Sequence, residues 1–144
     1  MDLRFSLRSE AAVLPTRGHP GDAGLDLRSV EARRLEPGER AMLATGLVVE
    51  IPTGHAGLVL PRSGLAAEHG ITLVNAPGLI DAGYRGEIRV LLLNTDRSAA
   101  HEIAVGDRIA QLLVVAFAAL SPVAADILGG SDGRGEGGFG STGS

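Results

Sequence analysis

The chain has 144 residues, a net charge of −4 and a hydrophobic content of 44%, values that indicate one folded domain and exclude an intrinsically disordered protein. Cysteine is absent, which excludes disulfide bonds, zinc–thiolate sites and a cysteine nucleophile. The acidic balance argues against general nucleic-acid binding, for which a basic surface is expected.

Strand-like segments follow one another at short intervals, and only one short helix is predicted. The predicted strands cover residues 2–7, 25–30, 40–51, 55–60, 71–75, 85–94 and 108–117, with weaker candidates at 31–35 and 123–128. The helix is predicted at 63–68, with Ser63 as its N-cap and Gly70 at its end. Because no helical crossovers separate the strands, the pattern predicts an all-β sandwich or jelly roll.

Two features bear on the environment of the protein. The longest apolar run covers residues 112–120, about half of the length that crosses a bilayer. The first ten residues contain no apolar stretch of signal-peptide length. We therefore expect a cytoplasmic protein with no membrane partner.

The last sixteen residues, GGSDGRGEGGFGSTGS at 129–144, differ in composition from the rest of the chain. Eight glycines predict a flexible tail, but Arg134 and Phe139 fit a free tail poorly. The alternative is a clamp that closes on a ligand, with main-chain N–H groups forming an anion-binding nest. A nucleotide-binding P-loop is excluded because the segment has no lysine and no helix follows it.

Two segments combine residue types that suit a phosphate ester. At 61–66, PRSGLA places Arg62 and Ser63 at the start of the helix, where free N–H groups suit phosphate. At 74–87, Asn75 has the donors and acceptor that read a base edge, an ionised Asp81 can orient a water, and Tyr84 can stack on a sugar. The alternatives are an N-cap with a surface arginine, and a hairpin with turn chemistry and a packed tyrosine.

Further polar residues leave the metal question open. Gln111 lies in an apolar strand and needs a main-chain or ligand partner, and Asp22 and Asp26 form either a carboxylate pair or turn caps and arginine partners. The four histidines have no metal-ligand spacing, so a histidine-bound zinc is not expected. Magnesium remains open, because it keeps its waters and takes substrate phosphates as ligands.

Five segments, in this order, resemble the motifs of the trimeric dUTP pyrophosphatase (dUTPase) family over nearly the whole chain. They are AGLDLRS at 23–29, PRSGLA at 61–66, GLIDAGYRGEI at 78–88, GDRIAQLL at 106–113 and GRGEGGFGSTG at 133–143. The resemblance implies a distorted β jelly roll over residues 1–128, assembled as a homotrimer with sites between subunits, and an arm at 129–144 that closes a site. It also implies Mg²⁺-dependent hydrolysis of dUTP to dUMP and pyrophosphate, which keeps uracil out of DNA and supplies dUMP for dTMP synthesis.

The resemblance also implies roles for single residues around the nucleoside. Asp81 matches the aspartate that positions the attacking water, and Tyr84 matches the tyrosine that packs on the deoxyribose and excludes a 2′-hydroxyl. Uracil would be read by Asn75 and by main-chain groups of the third motif, and Arg89 would lie on the substrate side. The main-chain residues concerned are Gly78, Leu79 and Ile80.

Other matching positions would serve the phosphate chain. Arg62, Ser63 and Gly64 match the phosphate-binding second motif, and Gln111 matches the phosphate-contacting glutamine of the fourth. Asp26 matches an aspartate that acts on magnesium through water. From a neighbouring subunit, Arg134 would reach the γ-phosphate and Phe139 would cover the uracil.

Two other functions remain to be tested against this one. The related dCTP deaminases share the fold but lack the glycine-rich fifth motif with its phenylalanine. A nucleotide-sensing regulator would keep every motif and bind dUTP without turning it over.

Overall fold

The computed structural model describes residues 2–130, 135–136 and 138. Within them the chain forms eleven β-strands and one α-helix, which confirms the predicted all-β class. The elements in chain order are β1 (Arg4–Leu7), β2 (Leu25–Arg28), β3 (Arg33–Leu35), β4 (Arg40–Ala44), β5 (Leu47–Glu50), β6 (His55–Leu60), α1 (Ser63–His69), β7 (Ile71–Leu73), β8 (Gly78–Ile80), β9 (Arg89–Asn94), β10 (His101–Ile103) and β11 (Arg108–Ala116).

The strands of the described residues form four antiparallel sheets. The largest has the order β2-β11-β6-β8, a second has the order β4-β9-β7, and two ribbons pair β1 with β5 and β10 with β3. β11 is the longest strand and pairs with β2 on one side and with β6 on the other. The sheet that contains β11 therefore collects residues from distant parts of the chain at one end of β6.

The core consists of aliphatic side chains from all of the longer strands. Their alternation is clear in β9, whose burial changes at each residue, as expected for a strand with one face toward the core. The most deeply buried side chains include Leu27, Leu35, Leu43, Leu92, Ile109 and Leu112. No aromatic side chain belongs to the buried set of the described residues, so the core depends on Leu, Ile and Val.

Several predicted boundaries were wrong. The strand predicted at 40–51 is two strands, because Gly46 turns the chain with a φ of 67°, and a Cβ there would lie 2.8 Å from Ala12. The strand predicted at 85–94 begins at Arg89, and the weak candidate at 123–128 forms no strand. The short strands β8 and β10 were not predicted.

The helix is one residue longer than predicted and has a different N-cap. Its N-cap is Arg62, which makes no side-chain capping bond, and Ser63 is its first helical residue, so the predicted cap was wrong. Gly70 ends the helix in the left-handed region, with a φ of 66°, as predicted. No helix in the described ranges has the length and apolar content needed to cross a membrane.

Candidate active site

A polar pocket of about 390 Å³ lies where β2, β6 and β11 meet. The register places Gln111 directly opposite Asp26 on one side and opposite Leu60 on the other. Strand pairing thus places Asp26 and Gln111 side by side, and the turn after β6 brings Arg62, two residues beyond Leu60, to the same pocket. We call this the arginine pocket; the residues that define it here are Asp26, Arg62, Ser63, Gly64, Arg108 and Gln111.

Asp26 is the charged centre of the arginine pocket. Its side chain is 14% exposed. The Nε of Arg62 donates to Oδ1 of Asp26 at 3.2 Å, and Nη1 of Arg108 donates to Oδ2 at 3.1 Å. One carboxylate thus pairs with two guanidinium groups, whose remaining N–H groups are donors that match phosphate oxygens.

Gln111 is fixed against the turn that precedes the helix. Its Nε2 donates to the main-chain oxygen of Pro61 at 2.9 Å, which is the main-chain partner predicted as one alternative. The side chain fits because residue 24 is glycine: a Cβ there would lie 2.3 Å from Oε1 of Gln111. Gly24 therefore makes room for the glutamine.

A second pocket of about 450 Å³ is formed largely by the chain between β7 and β9. β8 lies in this connection and pairs with β6, with Gly78 opposite Val59 and Ile80 opposite Gly57. The predicted residues that line the pocket are Asn75, Gly78, Leu79, Ile80, Tyr84 and Arg89. We call these six residues the tyrosine pocket. They include every position predicted to face the base, the sugar or the substrate side of the third motif.

The ring of Tyr84 lies across the turn that follows it. Its Oη donates to the main-chain oxygen of Glu87 at 3.1 Å, and its side chain remains 46% exposed. A Cβ at Gly86 would lie 2.3 Å from this Oη. Gly86 is thus required for the observed ring position, while the exposed face of the ring is available to a ligand.

Asp81 lies at the edge of the tyrosine pocket. It directly follows β8, is exposed, and its main-chain oxygen accepts from the N–H of Tyr84 at 3.0 Å. Within the described ranges its carboxylate has no hydrogen bond or ion pair. Both carboxylate oxygens are therefore available to accept hydrogen bonds from water.

Glu87 connects the tyrosine pocket to the neighbouring strands. Its Oε1 accepts from the N–H of Gly46 at 2.8 Å, and its Oε2 pairs with Nε of Arg89 at 3.3 Å. The predicted substrate-side residue Arg89 is thus held by an acidic neighbour. Sequence reasoning gave Glu87 no role.

The predicted site residues therefore divide into two groups. Among the described residues, none lines both the arginine pocket and the tyrosine pocket, and Asp81 lies outside both linings. Arg134 and Phe139 fall outside the described residues. Arg108, Gly24 and Gly86 were not predicted; the sequence motifs contain all three, but their roles depend on distances that a sequence does not provide.

A protein-held metal site is absent from the described part of the chain, where no three His, Asp or Glu side chains cluster suitably. Asp22 also lines the cavity of the arginine pocket, so the carboxylates of Asp22 and Asp26 both lie there. A magnesium ion that takes most of its ligands from phosphate and water needs little more than one such group. The residues therefore fit a metal carried by a phosphate-bearing substrate.

Two histidines meet at the far end of the helix from Arg62. The rings of His69 and His101 lie 4.6 Å apart and are tilted by 37°. Burial, and then the neighbouring His69, lower the pKa of His101 below its ordinary value of 6.5, because both disfavour the charged imidazole.

An all-β fold with an arginine-rich pocket and a separate pocket carrying an exposed aromatic ring is suited to a ligand that has phosphates at one end and a planar group at the other. The profile of the dUTPase family matches residues 10–143. This chain belongs to the dUTPase family.

Known proteins similar to this chain support the assignment. Deoxyuridine 5′-triphosphate nucleotidohydrolases of Leifsonia xyli and Thermobifida fusca are 58% and 55% identical, over 92% and 90% of this chain and 87% and 72% of their own. The dUTPase of Staphylococcus bacteriophage 80alpha, solved with dUpNHpp, is 31% identical with a TM-score of 0.88 and 99% coverage of both chains. A phage phi11 dUTPase variant, described with a structural Mg(II) ion, is 29% identical with a TM-score of 0.83, covering 89% of this chain and 99% of its own. The predicted jelly-roll class is thereby confirmed.

Proposed function

We propose that this protein hydrolyses dUTP to dUMP and pyrophosphate, with Mg²⁺, and thereby keeps uracil out of DNA and supplies dUMP for dTMP synthesis. The observation that carries this function is the pair of pockets: one offers guanidinium donors for a triphosphate, and the other offers main-chain groups and an exposed tyrosine for a nucleoside. Both lie in a chain of the dUTPase family.

The arginine pocket is assigned to the phosphate chain. Arg62 uses two of its donors on partners within the described ranges, and a guanidinium has five, so three remain for phosphate oxygens. Ser63, Gly64 and Gln111 line the same space and would add hydrogen bonds. These contacts would offset the charge that gathers on the leaving pyrophosphate.

The tyrosine pocket is assigned to deoxyuridine. Main-chain groups of Gly78, Leu79 and Ile80, with the side chain of Asn75, would pair with the uracil edge. Cytosine presents donor and acceptor exchanged, so it would leave buried polar groups unpaired, a mismatch that discriminates by about 10⁴-fold or more. The Tyr84 ring would pack on the deoxyribose and exclude a 2′-hydroxyl, and Arg89 would lie on the substrate side.

Asp81 is assigned to the attacking water. Its carboxylate would hold the water in line with the α-phosphorus and accept a proton as attack proceeds. Hydrolysis in ¹⁸O-water tests which phosphorus the water attacks: the label is expected in dUMP, as detected by mass spectrometry. Label in pyrophosphate instead would place the attack on the β-phosphorus and exclude the proposed role.

Magnesium would be held mainly by the triphosphate, with Asp26 contacting it through water. When bound, the ion supplies charge neutralisation on the phosphates. The protein residues would then need only to orient the phosphate chain.

A homotrimer with sites between subunits is part of the proposal. It is supported by the separation of the predicted residues into two pockets that share no lining residue in the part of the chain that the structure describes. The arm at 129–144 would close a site, with Arg134 reaching the γ-phosphate and Phe139 covering the uracil. Removal of residues 129–144 is expected to leave a trimer by analytical ultracentrifugation with little activity; full activity would exclude the arm from the mechanism.

The proposed function is tested by incubating the protein with Mg²⁺ and, separately, dUTP, dCTP, dTTP or UTP. We expect rapid release of dUMP and pyrophosphate from dUTP alone, resolved by chromatography. Deamination of dCTP would instead indicate the related deaminases. Binding of dUTP without turnover would indicate a nucleotide sensor.

A further inference from the structure

A β-bulge in β11 determines which of its side chains face the arginine pocket. The register is regular at Gln111, opposite Asp26, and shifts between Arg108 and Ala110. Ile109 and Ala110 are both buried, at 1% and 0% exposure, so two consecutive side chains face the core. The bulge therefore brings Arg108 to the same side as Gln111, although residues three apart lie on opposite faces of a regular strand.

The displaced arginine completes a chain of contacts that ends on Arg62. Arg108 donates to Oδ2 of Asp26, and Arg62 donates to Oδ1 of the same carboxylate. Arg62 is held a second time, because its Nη1 donates to the main-chain oxygen of Arg108 at 3.4 Å. In the described ranges, both hydrogen-bond partners of the Arg62 guanidinium are therefore connected to residue 108: one is its main-chain oxygen, and the other, Asp26, is bound by its side chain.

We propose that Arg108 is a positioning residue: through the Asp26 carboxylate it holds the Arg62 guanidinium in the orientation that receives the substrate's phosphate chain. The identity of that substrate rests on the proposed function. Side-chain exposure supports the direction of the effect, since Asp26 and Arg62 are 14% and 24% exposed and Arg108 is 44% exposed. Arg108, which is more exposed to solvent, therefore contacts the Asp26–Arg62 ion pair from its solvent-facing side.

The physical gain is pre-organisation. A free arginine side chain loses rotamer freedom when it binds an anion, and an arginine that is already held loses less. Asp26 alone would bind Arg62 with one oxygen and leave its other oxygen free to draw the side chain into a different pairing. When Arg108 binds that second oxygen, the carboxylate is held in one orientation. The single negative charge of Asp26 is then shared by two guanidinium groups and cannot neutralise both.

The test has one readout that does not depend on nucleotide. In ¹⁵N-labelled protein without ligand, exchange of the Arg62 Nε–H with water is measured by NMR for wild type, Arg108→Gln and Arg108→Lys. We expect exchange about 5-fold faster in R108Q and intermediate in R108K, which keeps the charge but not the planar fork. Arg33→Gln, which removes an exposed ion pair with Glu39, is the matched control and is expected to leave Arg62 unchanged.

The second readout is binding of dUpNHpp by calorimetry in a double-mutant cycle with Asp26→Asn. We expect R108Q to weaken binding about 10-fold, as for the loss of a charge-assisted contact, and to add little in the D26N background. Additive losses would overturn the proposal, because Arg108 would then act on the ligand directly. Unchanged Arg62 exchange in R108Q, in protein with an unchanged Tm, would overturn it as well.

Failure of the proposed function has a different signature. If wild-type protein does not bind dUpNHpp, the nucleotide assignment fails, while the exchange rate of the Arg62 Nε–H still decides whether Arg108 holds Arg62. If R108Q does not fold, R108K decides: exchange of the Arg62 Nε–H faster than in wild type supports the proposal, and exchange equal to wild type contradicts it.

Discussion

The arginine pocket and the tyrosine pocket are built by different means. The arginine pocket draws its side chains from β2, from the start of α1 and from β11, which are distant in sequence, and ion pairs hold them at the mostly buried Asp26 carboxylate. The six residues of the tyrosine pocket lie between 75 and 89; its tyrosine and leucine are exposed, and its shape depends on the main chain. Ion pairs therefore determine the arrangement of the arginine pocket, and backbone conformation determines that of the tyrosine pocket. Substitutions in the two pockets should accordingly change different kinetic constants.

The largest expected effect concerns Asp81, at the edge of the tyrosine pocket. Asp81→Asn keeps the shape of the side chain but removes its capacity to accept a proton, so kcat should fall by about 10²–10⁴-fold. Binding of dUpNHpp should be nearly unchanged, which calorimetry measures. Asp2→Asn, at another exposed aspartate, is the control. Near-normal turnover in the Asp81 variant would remove this residue from the mechanism.

A substitution at Gly24 tests the arginine pocket independently of the tyrosine pocket. In Gly24→Ala the added Cβ would meet Oε1 of Gln111, so the carboxamide must leave its bond to Pro61. We expect KM for dUTP to rise about 10-fold, the equivalent of roughly 1.4 kcal/mol, with the preference for dUTP over UTP intact. Steady-state kinetics with both nucleotides measures this, and an unchanged KM would separate Gln111 from phosphate binding.

The corresponding change in the tyrosine pocket should have the opposite signature. In Gly86→Ala the Cβ would meet the Tyr84 ring, which is exposed enough to swing outward without unfolding the chain. The preference for dUTP over UTP should fall several-fold, within the range of about 1–3 kcal/mol that one poorly fitted group changes, while inhibition by pyrophosphate stays constant. Gly83→Ala is the control for both glycines, because a Cβ there meets nothing within 4 Å.

The smallest expected effect concerns pH and stability. The pKa of His101 is lowered in the folded state, so the unfolded chain binds more protons below about pH 6.5. The free energy of unfolding should therefore decrease as the pH falls from 7 through 6.5, by less than about 1 kcal/mol because the imidazole is partly solvated. Urea unfolding of wild type and His101→Gln at pH 7.5 and 5.5 measures it; an equal decrease in both proteins would exclude His101 as the cause.

The sequence predicted local chemistry better than spatial arrangement. Gly70 as the helix end and the polar side chains of both pockets could be read from residue types and motifs. The role of Arg108 could not, because a β-bulge is visible only when two strands are paired. Gly24 and Gly86 likewise look like ordinary turn glycines until the side chains of Gln111 and Tyr84 are placed against them.

At 123–128 the sequence predicted an element that the structure does not contain. The apolar residues of this segment predicted a weak strand, but Val123 and Ile127 are 86% and 88% exposed and pair with no other strand in the described ranges. Hydrophobic pattern indicates that a segment favours burial, but a strand also requires a partner for its main-chain groups. The split at Gly46 was missed for another reason: it depends on a positive φ and on the closeness of Ala12, which the sequence does not show.

The most direct test of the two-pocket account is a crystal structure of the protein with Mg²⁺ and dUpNHpp. The account predicts uracil in the tyrosine pocket, against Asn75 and Tyr84, and the triphosphate in an arginine pocket, within hydrogen-bond distance of Arg62 and Gln111. A triphosphate placed away from Arg62, or a uracil outside the tyrosine pocket, would contradict the division of the substrate between the two pockets.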